Sequence, residues 1–135
     1  MSRMKQLLTV VVLIVVAVGL GFAWGASGRG ALRQGVEDAQ QQLDVLEARS
    51  HILDARVSLY NVNFGDAQRQ LEDAKAPLTR ARDRMQSEGK KNAAEAMAAA
   101  LTHVQDAQRL ASRLDQGANT QAGEALKSIQ SATSK

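Results

Sequence analysis

The chain contains no cysteine, one proline and two histidines in 135 residues, and aromatic residues make up 3% of it. Without cysteine it forms no disulfide and offers no site for lipoprotein acylation, and a zinc-type centre lacks its usual ligands. The sequence also has no glycine-rich phosphate loop and no Ser-His-Asp pattern. We therefore expect no catalytic residues, no metal or cofactor site and no small-molecule substrate, so the protein is predicted not to be an enzyme.

Strand-forming sequence is scarce as well. Runs of β-branched residues are confined to an N-terminal apolar segment, and the rest is rich in Ala, Gln, Leu, Arg and acidic residues at helical spacing. The sequence predicts an all-α protein, with one N-terminal transmembrane helix followed by a small antiparallel bundle of about four helices.

Acidic residues are missing from the first part of the chain. Residues 1–33 hold four basic side chains and no acidic one, whereas the remaining chain holds 13 basic and 14 acidic residues. The isoelectric point of about 9.6 therefore comes from the N-terminal part, and it gives no reason to expect nucleic-acid binding.

An uncharged, mainly apolar run extends over the eighteen residues from Leu7 to Trp24. As a helix it measures roughly 27 Å, close to the hydrocarbon core of a bilayer, and it exceeds a secretory h-region of about 7–15 residues. We therefore predict a retained anchor. The predicted organisation is a cytoplasmic tail over 1–6, a transmembrane anchor over 7–25, a flexible hinge over 26–33 and an α-helical domain over 34–135. The alternative is a signal peptide cleaved before Ala26, which would release a secreted soluble helical protein.

Slightly more positive charges precede this run than follow it. Arg3, Lys5 and the amino terminus precede it, while Arg29 and Arg33 follow it. By the positive-inside rule the protein is a single-pass protein of the cell inner membrane, with its C-terminal domain periplasmic or otherwise extracytoplasmic.

Small residues recur at one spacing within the apolar run. Ala17, Gly21 and Gly25 stand four residues apart, and this pattern lets two membrane helices approach closely. We predict that these three residues form a packing face of the membrane helix.

Glycine and asparagine clusters divide the remaining chain into helices predicted over 34–62, 66–87, 93–116 and 119–132. Asp66 is the expected cap of the second of these helices. Pro77 lies well inside it, so we expect a kink there or an early end.

The first of these helices is apolar on two sides. Its apolar residues fall into two stripes whose centres lie roughly 160° apart around the helix. The first stripe consists of Val36, Ala39, Leu43, Leu46, Ser50, Leu53, Val57, Tyr60 and Phe64. The second stripe consists of Val45, Ala48, Ile52, Ala55, Leu59 and Val62. A helix of this kind needs a cover on both sides, from its own chain or from another.

Charge indicates how the hairpin folds. Residues 37–73 carry a net charge of −5 and residues 74–91 a net charge of +4. Folding back near residue 64 is expected to bring Arg80, Arg82 and Arg84 close to Asp44 and Glu47. We expect His51, which lies in a polar seam between the stripes, to be solvated.

The third and fourth helices have small apolar residues, so we expect them to cover the first helix incompletely. Part of the second stripe is therefore predicted to stay available to another chain. The predicted partner interface is Val45, Ile52 and Leu59.

The stretch from His51 to Thr79 resembles one tetratricopeptide-type helical hairpin. Its sequence NFGDAQRQLEDAK is similar to the turn and second helix of that family, with Ala67 and Ala74 at the small positions and Leu71 at the large one. The resemblance implies a helical surface that binds proteins. The tripeptide Asp-Ala-Gln recurs at 38–40, 66–68 and 106–108, at unequal offsets, and residues 93–135 do not match the family in a second copy.

Two functions are open at this point. One is a non-enzymatic, membrane-anchored adaptor that presents a helical face to a partner protein in the cell envelope. The other is a structural element of the membrane that assembles with itself. The adaptor predicts that residues 31–135 are monomeric, and assembly predicts oligomers that depend on concentration.

Overall fold

The protein is described here from a computed structural model, which covers the backbone of residues 2–134 but not the side chains of residues 2–10, 19, 22–24, 26 and 27. Its four helices are α1 (Ser2–Tyr60), α2 (Phe64–Ser87), α3 (Lys91–Ser112) and α4 (Gly117–Thr133). No strand occurs over residues 2–134, so the predicted all-α class is confirmed. The chain forms two compact units, residues 1–39 and residues 40–135.

The first unit is helical throughout the residues described. The helix continues through residues 26–33, where the sequence predicted a flexible hinge. Glycine costs about 1 kcal/mol relative to alanine inside a helix, which is not enough to break one that has no proline. Large apolar side chains on this part of α1 are exposed by 51% to 66%: Val11, Val12, Leu13, Ile14, Val15, Val16, Val18 and Leu20.

The predicted membrane span, residues 7–25, falls in part outside the described side chains. Within the residues that are described, the structure has no helix both long enough and apolar enough to cross a membrane.

The second unit is a bundle made by the C-terminal part of α1 with α2, α3 and α4. Polar side-chain contacts join each helix to the next and α4 back to α1: His51 with Gln70, Glu72 with Gln108, His103 with Gln121, and Arg56 with Asn119. Helices α1 and α2 are antiparallel, because Asp44 contacts Arg80 near one end and Ser58 contacts Asp66 near the other. The predicted helical bundle is therefore confirmed.

The core of the bundle contains the second stripe from Val45 to Leu59. Val45, Ile52 and Leu59 are buried, the last two completely, together with Ala48 and Ala55. The prediction that this stripe remains open to another chain is wrong. Small residues on α3 and α4 do not leave a gap, since alanine lets helix backbones approach closely and Met97, Val104 and Ile129 fill the space between them.

Helix α1 ends in a turn whose backbone hydrogen bonds run from the Val62 N–H to the Leu59 carbonyl (3.0 Å) and from the Asn63 N–H to the Ser58 carbonyl (2.8 Å). The cap of α2 is Asn63, whose side-chain oxygen accepts a hydrogen bond from the Asp66 N–H at 3.2 Å. The cap is therefore Asn63, and the expectation from the sequence that Asp66 is the cap is wrong. Asp66 lies in the first turn of α2 and accepts a hydrogen bond from the Ser58 hydroxyl at 2.5 Å.

Pro77 does not end α2, which continues to Ser87. The proline ring is fully buried, so packing in the core offsets the backbone hydrogen bond that proline cannot donate. The predicted early end is wrong.

Two equivalent helical hairpins make up the bundle, α1–α2 and α3–α4. In the first helix of each, the buried residues correspond at an offset of 52: Val45 and Met97, Ala48 and Ala100, Ile52 and Val104, Ala55 and Ala107, Leu59 and Ala111. In the second helix they correspond at an offset of 51: Ala67 and Ala118, Leu71 and Ala122, Ala74 and Ala125, Leu78 and Ile129. The side-chain hydrogen bond between His51 and Gln70 has a counterpart between His103 and Gln121. The unit is therefore an internal repeat, in which the corresponding positions of the two helices are separated by one residue fewer in the second copy.

Candidate interaction surface

The first stripe forms an exposed apolar face on α1. Five large side chains of residues 43–60 are exposed by 47% to 70%: Leu43, Leu46, Leu53, Val57 and Tyr60. Ser50 lies in the middle of this row and is exposed as well. Phe64 belongs to the same stripe in sequence, but it lies at the start of α2 and is buried.

The neighbouring helices leave this face uncovered because they contact the two seams between the stripes. On one seam, His51 and Ser58 bind side chains of α2. On the other seam, the Arg56 Nε donates a hydrogen bond to Asn119 of α4 at 2.8 Å. The first stripe lies between these seams, on the side opposite the core.

The seam that faces α2 has a half-buried histidine. His51 Nδ1 donates to the Gln70 side-chain carbonyl at 2.9 Å. The expectation that His51 is solvated is therefore wrong. The hydrogen bond holds its ring against α2.

Charge pairs fasten α2 beside the stripe. The Arg80 Nε donates to Asp44 at 2.9 Å, and its Nη2 donates to Glu47 at 3.1 Å. The hydrogen bond from Arg80 to Asp44 raises the pKa of the guanidinium. Arg84 Nη1 lies 3.4 Å from the other oxygen of Asp44. The predicted pairing is confirmed for Arg80 and Arg84.

Arg82 departs from the expected pairing. Its guanidinium contacts the neighbouring Asp83 at 2.7 Å and does not reach α1. At 100° per residue, Arg82 is turned by roughly 160° from both Arg80 and Arg84 around α2, so it cannot share their face.

Two further charges border the stripe, one on each side. Arg49 lies on the side of α4 and Asp54 on the side of α2, and both are exposed. Neither forms an ion pair with any residue in the described part of the chain. They are the charged residues nearest to the middle of the apolar row, at Ser50 and Leu53.

The predicted membrane packing residues share one face of α1. Ala17, Gly21 and Gly25 are exposed, and a Cβ placed on either glycine meets no atom within 4 Å. A second helix therefore finds room to approach at these positions.

Clefts on the bundle are shallow and open. One lies between α1 and α4, lined in part by Arg49, Leu53, Arg56 and Asn119. In the described part of the chain, no three His, Cys, Asp or Glu side chains are grouped closely enough to hold a metal ion. No protein-family model, curated protein or solved structure matches the chain.

Sequence reasoning assigned the wrong stripe to the surface, although a signal was present. Alanine alternates with larger residues in the second stripe, at Ala48 and Ala55, and alanine also recurs on the buried faces of α2, α3 and α4. Between Leu43 and Tyr60 the first stripe has no alanine. Helices that pack closely need small residues at their contacts, so alanine identifies the internal side.

Proposed function

We propose that this protein is a non-enzymatic, single-pass membrane protein whose helical bundle binds a protein partner through the first stripe of α1. The observation that carries the proposal is the exposed apolar row from Leu43 to Tyr60. A contiguous apolar face on a folded domain is typical of a surface that binds protein. The tetratricopeptide-like hairpin over residues 51–79 supports the same kind of function by resemblance.

Support for the membrane anchor comes from the N-terminal part of α1. The sequence is uncharged from Leu7 to Trp24, and the apolar residues described there are exposed around the whole helix. A helix that is apolar on all sides needs an apolar surrounding. We place it in the inner membrane, with residues 40–135 on the extracytoplasmic side.

Membrane fractionation tests the anchor. The full chain should stay with membranes after an alkaline wash, and mass spectrometry should find its N-terminal segment intact. A soluble form that begins at Ala26 would instead establish the secreted alternative. A reporter fused after Lys135 should be active outside the cytoplasm, and activity confined to the cytoplasm would reverse the orientation.

A photo-crosslinking amino acid in place of Val57 tests the interaction face in cells. It should give covalent adducts, and a matched probe at the exposed Gln105 of α3 should give far fewer. Adding Leu46→Asp should remove the adducts, because a carboxylate on the apolar row disfavours burial. Equal labelling from both positions, or none from Val57, contradicts the proposal.

Self-assembly is the second candidate function, and the spacing of the first stripe favours it. From Leu43 to Tyr60 its residues alternate in steps of three and four. This is the heptad pattern of helices that pair with helices like themselves. Adaptor and assembly differ in the partner seen in the adducts from Val57, another protein or a second copy.

A further inference from the structure

We propose that the first stripe pairs with the same stripe of a second copy, as two parallel α1 helices. The inference rests on the proposed use of the first stripe as an interaction face, and it names the partner. Its grounds are the heptad register of the exposed row and the charges that border it.

The heptad register places the exposed residues at the seam of a coiled coil. Leu43, Ser50 and Val57 fall at one seam position, seven residues apart, and Leu46, Leu53 and Tyr60 fall at the other. All six are exposed. Two such rows interdigitate when the helices supercoil, and each covers the apolar face of its partner.

Bordering charges select the direction of pairing. In a parallel pair, the residue that precedes the seam position of Ser50 lies beside the residue five places further along the partner helix. This places Arg49 of one copy beside Asp54 of the other, twice per dimer. Both side chains are exposed and form no ion pair within the described chain, so they are available to each other.

An antiparallel pair would bring like charges together. Each flank of the stripe would then face the same flank of the partner, with Glu47 and Asp54 against carboxylates and Arg49 and Arg56 against guanidinium groups.

Ser50 marks the centre of the interface. In a parallel, in-register pair it lies opposite Ser50 of the second copy, between the layers of Leu46 and Leu53. Because the chain has no cysteine, Ser50→Cys introduces a single thiol at this point.

Crosslinking of the full chain in detergent micelles, with micelles in excess, tests the register. Mild oxidation of Ser50→Cys should give a disulfide-linked dimer. Thr102→Cys, at an exposed position of α3, should remain monomeric under the same conditions. Adding Leu46→Asp and Leu53→Asp should abolish the dimer at position 50. Crosslinking that persists with these aspartates, or that is equal at position 102, overturns the inference.

Charge reversal tests the direction. Asp54→Arg alone places arginine against Arg49, and Arg49→Asp alone places aspartate against Asp54, so each should weaken association by about 5-fold. A mixture of the two variants restores both pairs. Co-purification of tagged Asp54→Arg with untagged Arg49→Asp should therefore exceed that of either variant with itself.

Equal co-purification in all combinations overturns the parallel pairing. Failure of the full wild-type chain to associate at any concentration overturns the second copy as the partner. The interaction face itself is then judged separately. Adducts from Val57 to another protein would keep the proposed function, and no adducts would remove both.

Discussion

At the scale of single residues, the turns of the two hairpins show how the fold tolerates local strain. Val62 and Leu114 have positive φ angles of 58° and 57°, and Gly89 has one of 74°. The residue after each donates a backbone hydrogen bond to a carbonyl five residues back, at 2.8 Å, 3.0 Å and 2.9 Å respectively. This helix ending requires a left-handed residue, for which glycine is favoured. The two hairpin turns therefore place Val62 and Leu114, which carry a Cβ, in the left-handed conformation. The connection between the hairpins has Gly89 there, which adopts this conformation without strain.

Replacing the strained residue should stabilise the protein. A left-handed conformation costs a residue with a Cβ about 1–2 kcal/mol, and glycine regains most of this despite its larger entropy loss on folding. Val62 is largely exposed, so Val62→Gly removes little packing. We expect Val62→Gly and Leu114→Gly each to raise the free energy of unfolding by about 0.5–1 kcal/mol, measured by urea unfolding. Gly89→Ala is the matched control and should lower it. A loss of stability in Val62→Gly would show that its side chain packs in solution.

A carboxylate at the junction of the hairpins gives a dependence on pH. The pKa of Glu72 is lowered, first by its hydrogen bond from Lys75 and second by the one from Gln108 of α3 at 2.7 Å. Because the pKa of Glu72 is lower in the folded state, the ionised side chain stabilises the fold at pH values above its ordinary pKa of 4.5. This stabilisation is lost as the pH falls below 4.5 and through the lowered pKa of the folded state.

Glu72→Gln should therefore be less stable than the wild type at pH 7, and the difference should shrink at pH 3. Urea unfolding at both pH values measures it. The same difference at both pH values would mean that the charge of Glu72 does not contribute. Glu95→Gln, at an exposed position of α3, is the control.

At the scale of helices, neighbouring residues of α1 have opposite surroundings. Ile52 is completely buried, whereas Leu53 is 47% exposed. The sequence predicted the two apolar stripes and the folding back of the chain near residue 64, because helical periodicity and charge both follow from local spacing. Which stripe faces inward depends on contacts with α3 and α4, residues distant in sequence.

Aspartate substitutions at these two positions should separate core from surface. Ile52→Asp buries a carboxylate without a partner and should cost more than about 4 kcal/mol, enough to unfold the bundle. Leu53→Asp should change stability by less than about 1 kcal/mol and should weaken association instead. Circular dichroism and sedimentation of the full chain in detergent micelles measure the two effects. A folded Ile52→Asp protein would show that the second stripe is accessible after all.

At the scale of the whole molecule, the bundle is two copies of one hairpin packed into a single core. The sequence did not predict this repeat, because most residues shared at corresponding positions are alanines, such as Ala48 and Ala100 or Ala74 and Ala125, and alanine is common throughout this part of the chain. One residue fewer separates the two helices' corresponding positions in the second copy, so the offset changes from 52 to 51, and a search at one fixed period misses the repeat. The repeat is one of burial and turn geometry, which many residue types can satisfy. Some large residues of the first copy correspond to alanine in the second, as Leu59 does to Ala111 and Leu71 to Ala122.

The shared core predicts that the two hairpins unfold together. Leu78 of α2 and Ile129 of α4 occupy corresponding positions, and both are fully buried in the same apolar cluster. Leu78→Ala and Ile129→Ala should each lower the free energy of unfolding by about 2–5 kcal/mol. Because the whole bundle unfolds in one step, the slope of the urea transition should equal that of the wild type in both variants. The helical signal at 222 nm, followed against urea for the full chain in detergent micelles, provides the measurement.

If the hairpins were independent, each variant would instead give two transitions, with part of the signal lost early and the rest at the wild-type midpoint. The alanine-rich second hairpin buries less apolar surface of its own, so without the contacts from Leu71, Leu78 and Met85 of α2 it would not keep its helices together.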